Sequence, residues 1–378
     1  MKILQISASY KPAYIYGGPI MSVSILAEQL VNAGELVNIY TTTANGKGEL
    51  VVQPGEQVMI DKVNVTYFHR ITKDHTHLSP SLLIKTWRTA RDYDVVHIHA
   101  WWNLVSVLSC LVALMRKVPV VVSPRGTLSN YSFNNRNNRI KGLIHSWLGK
   151  PLLSKCFIHT TSKNEYDVLK AMLPGNTIFN VPNFIKLDIA ETFSPIQPYN
   201  HLKLIFFSRI EEKKGLDLLL DALILVQTPY TLTIAGDGNP DYVSKLKQQA
   251  LTNGVAGHIN WIGFQTDDKF KLLHDHDLMI LPSYDENFGN VVIESLSVGT
   301  PVLISEQVGL ADYVTENNLG WLCKTNAASI SEAINAIANK KADIDQIKKE
   351  APLKIKNDFD YRNMVQKYIN MYTQIVAK

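Results

Sequence analysis

The chain has little cysteine: Cys110, Cys156 and Cys323 are the only three among 378 residues, odd in number and far apart along the sequence. That excludes a disulfide framework and a cysteine-rich zinc site, and it suits a reducing cytosol. Net charge is scarce too. With 38 basic and 34 acidic residues the formal charge is +4, too mild to mark a nucleic-acid binder. Long apolar runs are missing as well. The longest, Leu104–Met115, contains Ser106 and Ser109 and falls short of the roughly 20 residues that cross a bilayer. The opening MKILQISASY has one lysine and too short an apolar stretch for a signal peptide, and it reads as a first strand. These absences predict a water-soluble, cytoplasmic chain. The one membrane contact they leave open is peripheral, on the inner face of the cell membrane.

Acidic residues are missing altogether between Asp94 and Glu165. That stretch carries nine cations: Arg116, Lys117, Arg125, Arg136, Arg139, Lys141, Lys150, Lys155 and Lys163. Removing those nine from the 38 basic residues leaves 29 against 34 acidic ones, so the rest of the chain is slightly acidic. Within the stretch, SFNNRNNRIKGLIHSWLGKPLLSK sets Leu143, Ile144, Trp147 and Leu148 at helical spacing among the cations. Two readings stand side by side. In one, residues 125–163 present a basic amphipathic surface to anionic lipid, each cation contributing about 1 kcal/mol. In the other, a core-facing helix simply has a solvated basic face. No RNA-binding signature accompanies the charge.

What is present is globular: 46% apolar and 19% charged residues, in a length that predicts two domains or three. Val/Ile-rich strands alternate with amphipathic helices. In the first half, strands are expected at Lys2–Ala8, Leu36–Thr41, Asp94–His99, Pro119–Ser123 and Phe157–Thr161, with a hairpin-like stretch at Val58–Phe68. Helices are expected at Ser22–Asn32, Leu104–Met115 and Lys163–Ala171. Residues 181–200 hold three prolines and no sustained period, and read as a linker. The pattern then restarts. Strands fall at Leu202–Phe207, Tyr230–Ala235, His258–Gly263, Leu278–Pro282 and Pro301–Ser305. Helices fall at Gly215–Gln227, Asp241–Asn253, Thr266–His274, Asn290–Val298, Ile330–Asn339 and Tyr361–Val376. The fold class is therefore α/β: two Rossmann-like domains facing a central cleft, with the chemistry in loops at the carboxyl ends of parallel strands.

Three segments carry that chemistry. In LPSYDENFGNVVIESLSVGTPV, Glu286 ends a loop after a strand and Glu294 follows eight positions later on a helix. Between them, the backbone N–H groups of Asn287–Val292 open a helix N-terminus, which suits a phosphate. The two carboxylates suit sugar and ribose hydroxyls, and Gly289 permits close backbone approach. In FFSRIEEKKGLDLLLDAL, Arg209 and Lys214 are two cations at a strand–helix turn, matched to a diphosphate. In SYKPAYIYGGPIMSVSILAEQL, Gly17 and Gly18 stand between a strand and a helix. The glycine spacing is not GxGxxG, which speaks against a dinucleotide cofactor.

With these residues on the page, the chain resembles the retaining glycosyltransferases of family 4, of GT-B architecture. The carriers are Glu286 with Glu294, Arg209 with Lys214, LTIAGDG at 232–238, WIGF at 261–264 and VPN at 181–183, supported by Gly17-Gly18 and the DVVHIHA strand at 94–100. The resemblance implies an N-terminal acceptor-binding domain over 1–185 and a C-terminal nucleotide-sugar-binding domain over 186–360. A last helix, 361–378, would cross back to the N-terminal domain. It also implies roles. Glu294 would hold the ribose, Glu286 the donor sugar, and Arg209 and Lys214 the diphosphate. Asn287, Phe288, Gly289 and Asn290 would offer backbone to sugar and phosphate. Gly236, Ile262 and Phe264 would line the nucleotide, the last two beside its base. Gly17 and Gly18 would approach the diphosphate, and His99 would lie near the sugar. No cofactor and no metal are required: the fixed cations and the helix N-terminus take the leaving group's charge.

Some features compete. Asp275-His276-Asp277 imitates a metal-binding DxD, and His97 with His99 forms an HxH pair that lacks a third ligand. Trp101 and Trp102 are candidates for stacking on a sugar or touching lipid, with burial as the default. Arg125 stands where the family commonly has histidine, so it is a candidate for phosphate or an acidic acceptor, with a structural salt bridge as the alternative. Phe184 replaces an expected glycine, and Asn290 an expected apolar residue. The function expected is transfer of a hexose from a UDP-sugar, favoured over a GDP-sugar, to a hydroxyl acceptor. That acceptor would be a lipid or lipid-linked oligosaccharide in cell-surface polysaccharide or glycolipid synthesis. The alternatives are a non-catalytic partner subunit and a sugar-nucleotide epimerase of the same architecture.

Overall fold

The computed structural model describes residues 1–129, 131, 149–187, 201–265 and 268–378. The helical pattern read over 143–148, the cations Arg136, Arg139 and Lys141, and most of the linker lie outside the described residues. The chain divides into two compact units, Met1–Lys186 with Tyr361–Lys378, and Leu187–Asp360.

Unit 1 contains strands β1 (Lys2–Ile6), β2 (Leu36–Thr42), the two-residue β3 (Ala44–Asn45) and β4 (Gly48–Glu49), β5 (Gln57–Ile60), β6 (Val63–Phe68), β7 (Val95–His99), β8 (Val120–Ser123), β9 (Phe157–Thr160) and β10 (Ile178–Asn180). The main sheet has the order β10-β9-β8-β7-β1-β2-β6-β5. It is parallel except for β5, which runs antiparallel to β6. Strands β7 and β8 are buried along their whole length, because helices cover both faces of the sheet. Neighbours on β1 take opposite faces. Ile3 packs with helix Gly18–Asn32 and helix Tyr361–Val376, whereas Leu4 packs with helix Pro80–Thr89 and helix Leu104–Met115. Helix Tyr361–Val376 buries Met364, Tyr368, Met371, Tyr372 and Ile375, a single stripe at helical spacing. Its Tyr368 Oη donates to Pro182 O at 3.1 Å and its Tyr361 Oη to Ile185 O at 3.0 Å.

Distance along the sequence misleads for the cysteines. Cys110 and Cys156 are both buried free thiols, with Sγ atoms 3.4 Å apart.

Unit 2 contains β11 (Leu202–Phe207), β12 (Tyr230–Ala235), β13 (Ile259–Gly263), β14 (Leu278–Leu281), β15 (Val302–Ser305) and β16 (Gly320–Cys323). All pairs are parallel in the order β13-β12-β11-β14-β15-β16. Counted within the unit this is the doubly wound order, which reverses between β11 and β14. At that point the outgoing loops diverge and leave a crevice at the carboxyl ends of the strands.

Helix boundaries depart from the sequence reading where side chains intervene. The expected helix over 215–227 is Leu216–Ala222 followed by a tighter turn, Leu223–Leu225. The helix expected from Ile330 begins at Ala327, because the Asn326 side chain accepts from Ser329 N and caps it. Helices Pro80–Thr89 and Lys341–Asp358 were not expected at all.

Candidate active site

The carboxyl edge of β11 and β14 is built by close backbone approach. A Cβ on Gly215, whose φ is +70°, would lie 2.1 Å from Pro282 O. The loop after β11 therefore touches the loop after β14 without a side chain between them. Tyr284 N donates to Lys213 O at 2.8 Å and locks the same junction. On the other side, a Cβ on Gly236 would lie 1.9 Å from Ser208 O and one on Gly238 2.0 Å from Ile210 O. The two glycines of AGDG thus bring the loop after β12 against the loop that carries Arg209.

Into this junction Lys214 turns inward. It is buried and forms an ion pair with Glu286, reached across 72 residues of sequence. The Glu286 backbone is pinned in turn: its N donates to Gln307 O at 3.2 Å and its O accepts from Gly309 N at 2.8 Å. Burial alone would raise the Glu286 carboxyl. Lys214, Lys213 and Arg209 outweigh it and hold the group below its ordinary value, as a carboxylate. Three residues on, Gly289 takes a left-handed φ of +90° and precedes helix Asn290–Ser297. That helix has no side-chain cap and no acid in its first turn; Val292 N donates to Gly289 O at 2.9 Å, and the N–H groups before it, with the helix's positive end, are what a ligand can meet. Phe288 is core, 6.5 Å from the Phe359 ring centroid, which leaves its backbone as the part a ligand can meet. Asn287 follows Glu286 in the same loop, and Asn290 is the first helical residue.

The remaining unit 2 residues are spread along the same edge. Glu294, on helix Asn290–Ser297, pairs with Lys269 at 2.8 Å. Arg209 is half-exposed and pairs with Glu211 at 2.7 Å. The structure therefore does not present Arg209 and Lys214 as a bare cation pair, since each already faces a carboxylate. Ile262 is partly buried on β13, and Phe264 just beyond it is 66% exposed, a flat apolar surface at the edge of the site. Lys213 was not among the expected site residues, although the run Glu-Lys-Lys was visible in the sequence.

The DHD decoy resolves into structure. Asp277 is buried and accepts from Lys203 N at 2.9 Å and Lys348 Nζ at 3.0 Å. Asp275 pairs with Lys271 on the surface, and His276 Nε2 bonds Thr233 Oγ1 at 2.8 Å.

In unit 1, Gly17 takes a φ of +69° as the N-cap of helix Gly18–Asn32, and Gly18 is the first helical residue. Two candidates of this unit are buried. Trp101 is fully buried in the core, so it offers no stacking face to a sugar. His99 is 1% exposed and lies against His97, ring centroids 4.1 Å apart. It accepts from Arg125 Nε at Nδ1, 3.3 Å away, and bonds Gln5 Oε1 through Nε2. The contacts seen for its ring are with these protein groups.

Beside it runs a buried polar chain. His159 Nε2 bonds Val181 O at 2.9 Å, and that carbonyl can only accept. With neutral imidazoles the remaining directions follow. Ser123 Oγ donates to His159 Nδ1 at 2.5 Å, His97 Nε2 donates to Ser123 Oγ at 2.6 Å, and Tyr372 Oη donates to His97 Nδ1 at 2.7 Å. Burial, with the Arg125 guanidinium nearby, drives all three histidines down, His159 to about 3. After β7 and β8 the chain leaves the sheet through left-handed residues, Ala100 (φ +63°) and Arg125 (φ +53°). Each is a strained position costing roughly 1–3 kcal/mol, of the kind that clusters at functional edges.

Comparison with known proteins agrees with this architecture. The profile "Glycosyl transferases group 1" matches residues 190–354, and "Glycosyl transferase 4-like domain" matches residues 17–164. The glycogen synthase of Mycobacterium tuberculosis is 25% identical over 98% of this chain and 94% of its own length. The phosphatidyl-myo-inositol mannosyltransferase of Mycobacterium leprae is 25% identical over 67% of this chain and 66% of its own. Among solved structures, HepE of Anabaena in complex with UDP and glucose superposes with a TM-score of 0.74. It is 20% identical and covers 99% of this chain and 100% of that one. The fold is GT-B, with two Rossmann-like α/β domains. The chain belongs to glycosyltransferase family 4 and is a glycosyltransferase.

Proposed function

We propose that this glycosyltransferase is a retaining hexosyltransferase that uses a UDP-sugar without a metal or other cofactor. Its acceptor is a hydroxyl on a lipid or lipid-linked oligosaccharide. The reaction belongs to cell-surface polysaccharide or glycolipid assembly at the inner face of the membrane. The observation that carries the reading is the buried Lys214–Glu286 pair at the switch point of the unit 2 sheet, beside the uncapped start of helix Asn290–Ser297. Cleavage at the anomeric carbon leaves negative charge on the diphosphate. Lys214, Lys213, Arg209 and the helix terminus are the positive sources for that charge, with Lys214 held in place by its pair with Glu286. Glu286 stays ionised among them, so it positions the donor sugar and balances cationic character at the sugar carbon. Glu294 takes the ribose hydroxyls, and Phe264 and Ile262 take the base. The departing phosphate accepts the acceptor's proton on the same face, which accounts for retention without a separate general base.

A structural neighbour solved with UDP and glucose supports the donor class. A relative named for phosphatidyl-myo-inositol supports a lipid acceptor, as does the acid-free basic stretch. No helix among the described residues is long and apolar enough to cross a membrane. Calorimetric titration with UDP, GDP and ADP in EDTA tests the donor site. UDP is expected to bind most tightly, and Glu294→Ala to weaken it by about tenfold, the worth of a charge-assisted hydrogen bond. Preference for GDP or ADP, or UDP affinity unchanged in Glu294→Ala, overturns the assignment.

A further inference from the structure

The loop after β8 holds a polar centre that donor chemistry leaves unused. Arg125 Nη1 donates to Asn183 Oδ1 at 2.7 Å and to Ser22 Oγ at 3.1 Å, and Nε donates to His99 Nδ1 at 3.3 Å. Its Nη2 is enclosed and has no partner. Among the described residues no carboxylate lies within ion-pair distance of the guanidinium. Glu165 is close enough to act on it electrostatically, but its oxygens accept from Gly126 N at 2.7 Å and Thr161 N at 2.9 Å. His97, His99 and His159 are neutral and supply no anion. The site is thus a cation held by neutral acceptors, on a left-handed backbone, with one donor nitrogen unspent. Enclosing a charge without a counter-charge is costly, and the strained backbone adds to the cost. A fold keeps such an arrangement where a ligand completes it.

A second positive source converges there. Ser22, one of the two oxygen partners of Nη1, lies one turn inside helix Gly18–Asn32. That helix starts at Gly17 with no side-chain cap and no acid in its first turn. The guanidinium fork is the geometry that grips phosphate or carboxylate oxygens in pairs.

We propose that Arg125, oriented by Asn183, Ser22 and His99, is an oxyanion subsite of unit 1, and that it receives the phosphoryl or carboxylate group of an anionic acceptor. The assignment to the acceptor rests on the function proposed above, in which the donor diphosphate is taken by Arg209, Lys213 and Lys214. His99 and Asn183 are positioning residues here: both accept from the guanidinium and fix the plane of its fork.

The test is thermal unfolding of the wild type, Arg125→Met and Arg125→Lys. Each is titrated with inorganic phosphate and with glucuronate against potassium chloride of equal ionic strength, with and without saturating UDP. The wild type is expected to be stabilised by one of the two anions, and which one separates a phosphoryl from a carboxylate ligand. Arg125→Met, read against its own unfolding midpoint in chloride, is expected to lose the anion response, since it removes the guanidinium that the anion would meet. Arg125→Lys, which keeps the charge but not the fork, is expected to need about tenfold more anion for half its effect. No stabilisation of the wild type by either anion overturns the proposal. So does an unchanged response in Arg125→Met or, if that variant does not fold, in Arg125→Lys. A matching loss of UDP affinity in Arg125→Met overturns the acceptor assignment by giving the site to the donor. A chain that binds no UDP, yet responds to anion through Arg125, contradicts the donor reading while leaving the subsite standing.

Discussion

At the residue scale the account rests on an asymmetry in buried charge. Lys214 and Glu286 neutralise each other inside the junction of two loops. Removing one leaves its partner enclosed and unpaired, which costs roughly 3–5 kcal/mol, whereas replacing both by neutral groups of similar size costs far less. Chemical denaturation of Lys214→Met, Glu286→Gln and the double variant is therefore expected to show the double variant more stable than either single one. Turnover behaves differently. Each single variant and the double variant should lose at least about tenfold, because each removes charge that is set against the transition state. A double variant less stable than both singles, or any of the three with near-normal turnover, contradicts the pairing as the working centre. The sequence placed each of these residues on a loop after a strand, but not against the other. A partner 72 residues away is a tertiary fact. The glycines were legible only in part. Gly215, Gly236 and Gly238 are required by carbonyls about 2 Å from where their Cβ would be, and those carbonyls belong to other loops. Burial, the default reading for Trp101, is what the structure shows, whereas for His99 the local sequence is silent on whether a strand-end residue faces a crevice or the core.

At the element scale, strands and apolar helices were readable because their periodicity is a local property. Helix Leu104–Met115 has the bounds expected of it, and Asn103 caps it by accepting from Ser106 N. Helix Lys341–Asp358 was invisible because Pro352 sits inside it, and an internal proline normally ends a helix. Here Pro352 leaves the carbonyl four residues back, at Lys348, without its helical donor. Gly299 packs against that same carbonyl, where a Cβ would come within 2.6 Å. The polar chain through β7, β8, β9 and helix Tyr361–Val376 yields a prediction of its own. His97, His99 and His159 are neutral in the folded protein well below their ordinary value near 6.5, and all three protonate on unfolding. Their contribution is complete above about pH 6.5 and is lost as the pH falls. The loss approaches about 4 kcal/mol per pH unit once all three titrate in the unfolded chain alone. Glu286, also held low, loses its contribution in the same direction but only below about 4.5. Urea midpoints measured at pH 8, 7, 6 and 5 should be level at the top and fall from pH 6 downward. A flat profile to pH 5 contradicts the neutral histidines.

At the scale of the whole molecule, composition and charge located very little of the chemistry. A net charge of +4 conceals nine cations in one acid-free stretch and a slightly acidic remainder. The doubly wound order of unit 2 says more, since it fixes where a ligand meets the sheet before any side chain is named. Family membership gives the class of reaction; the donor and acceptor are decided by residues. The measurement that tests this most directly is nucleotide release from UDP- and GDP-hexoses in EDTA without acceptor, comparing the wild type with Glu286→Ala. The account predicts slow release of UDP from one UDP-hexose, none from the GDP-sugars, and at least about tenfold slower release in the variant. Release from a GDP-sugar instead, dependence on added metal, or equal rates in Glu286→Ala would contradict it.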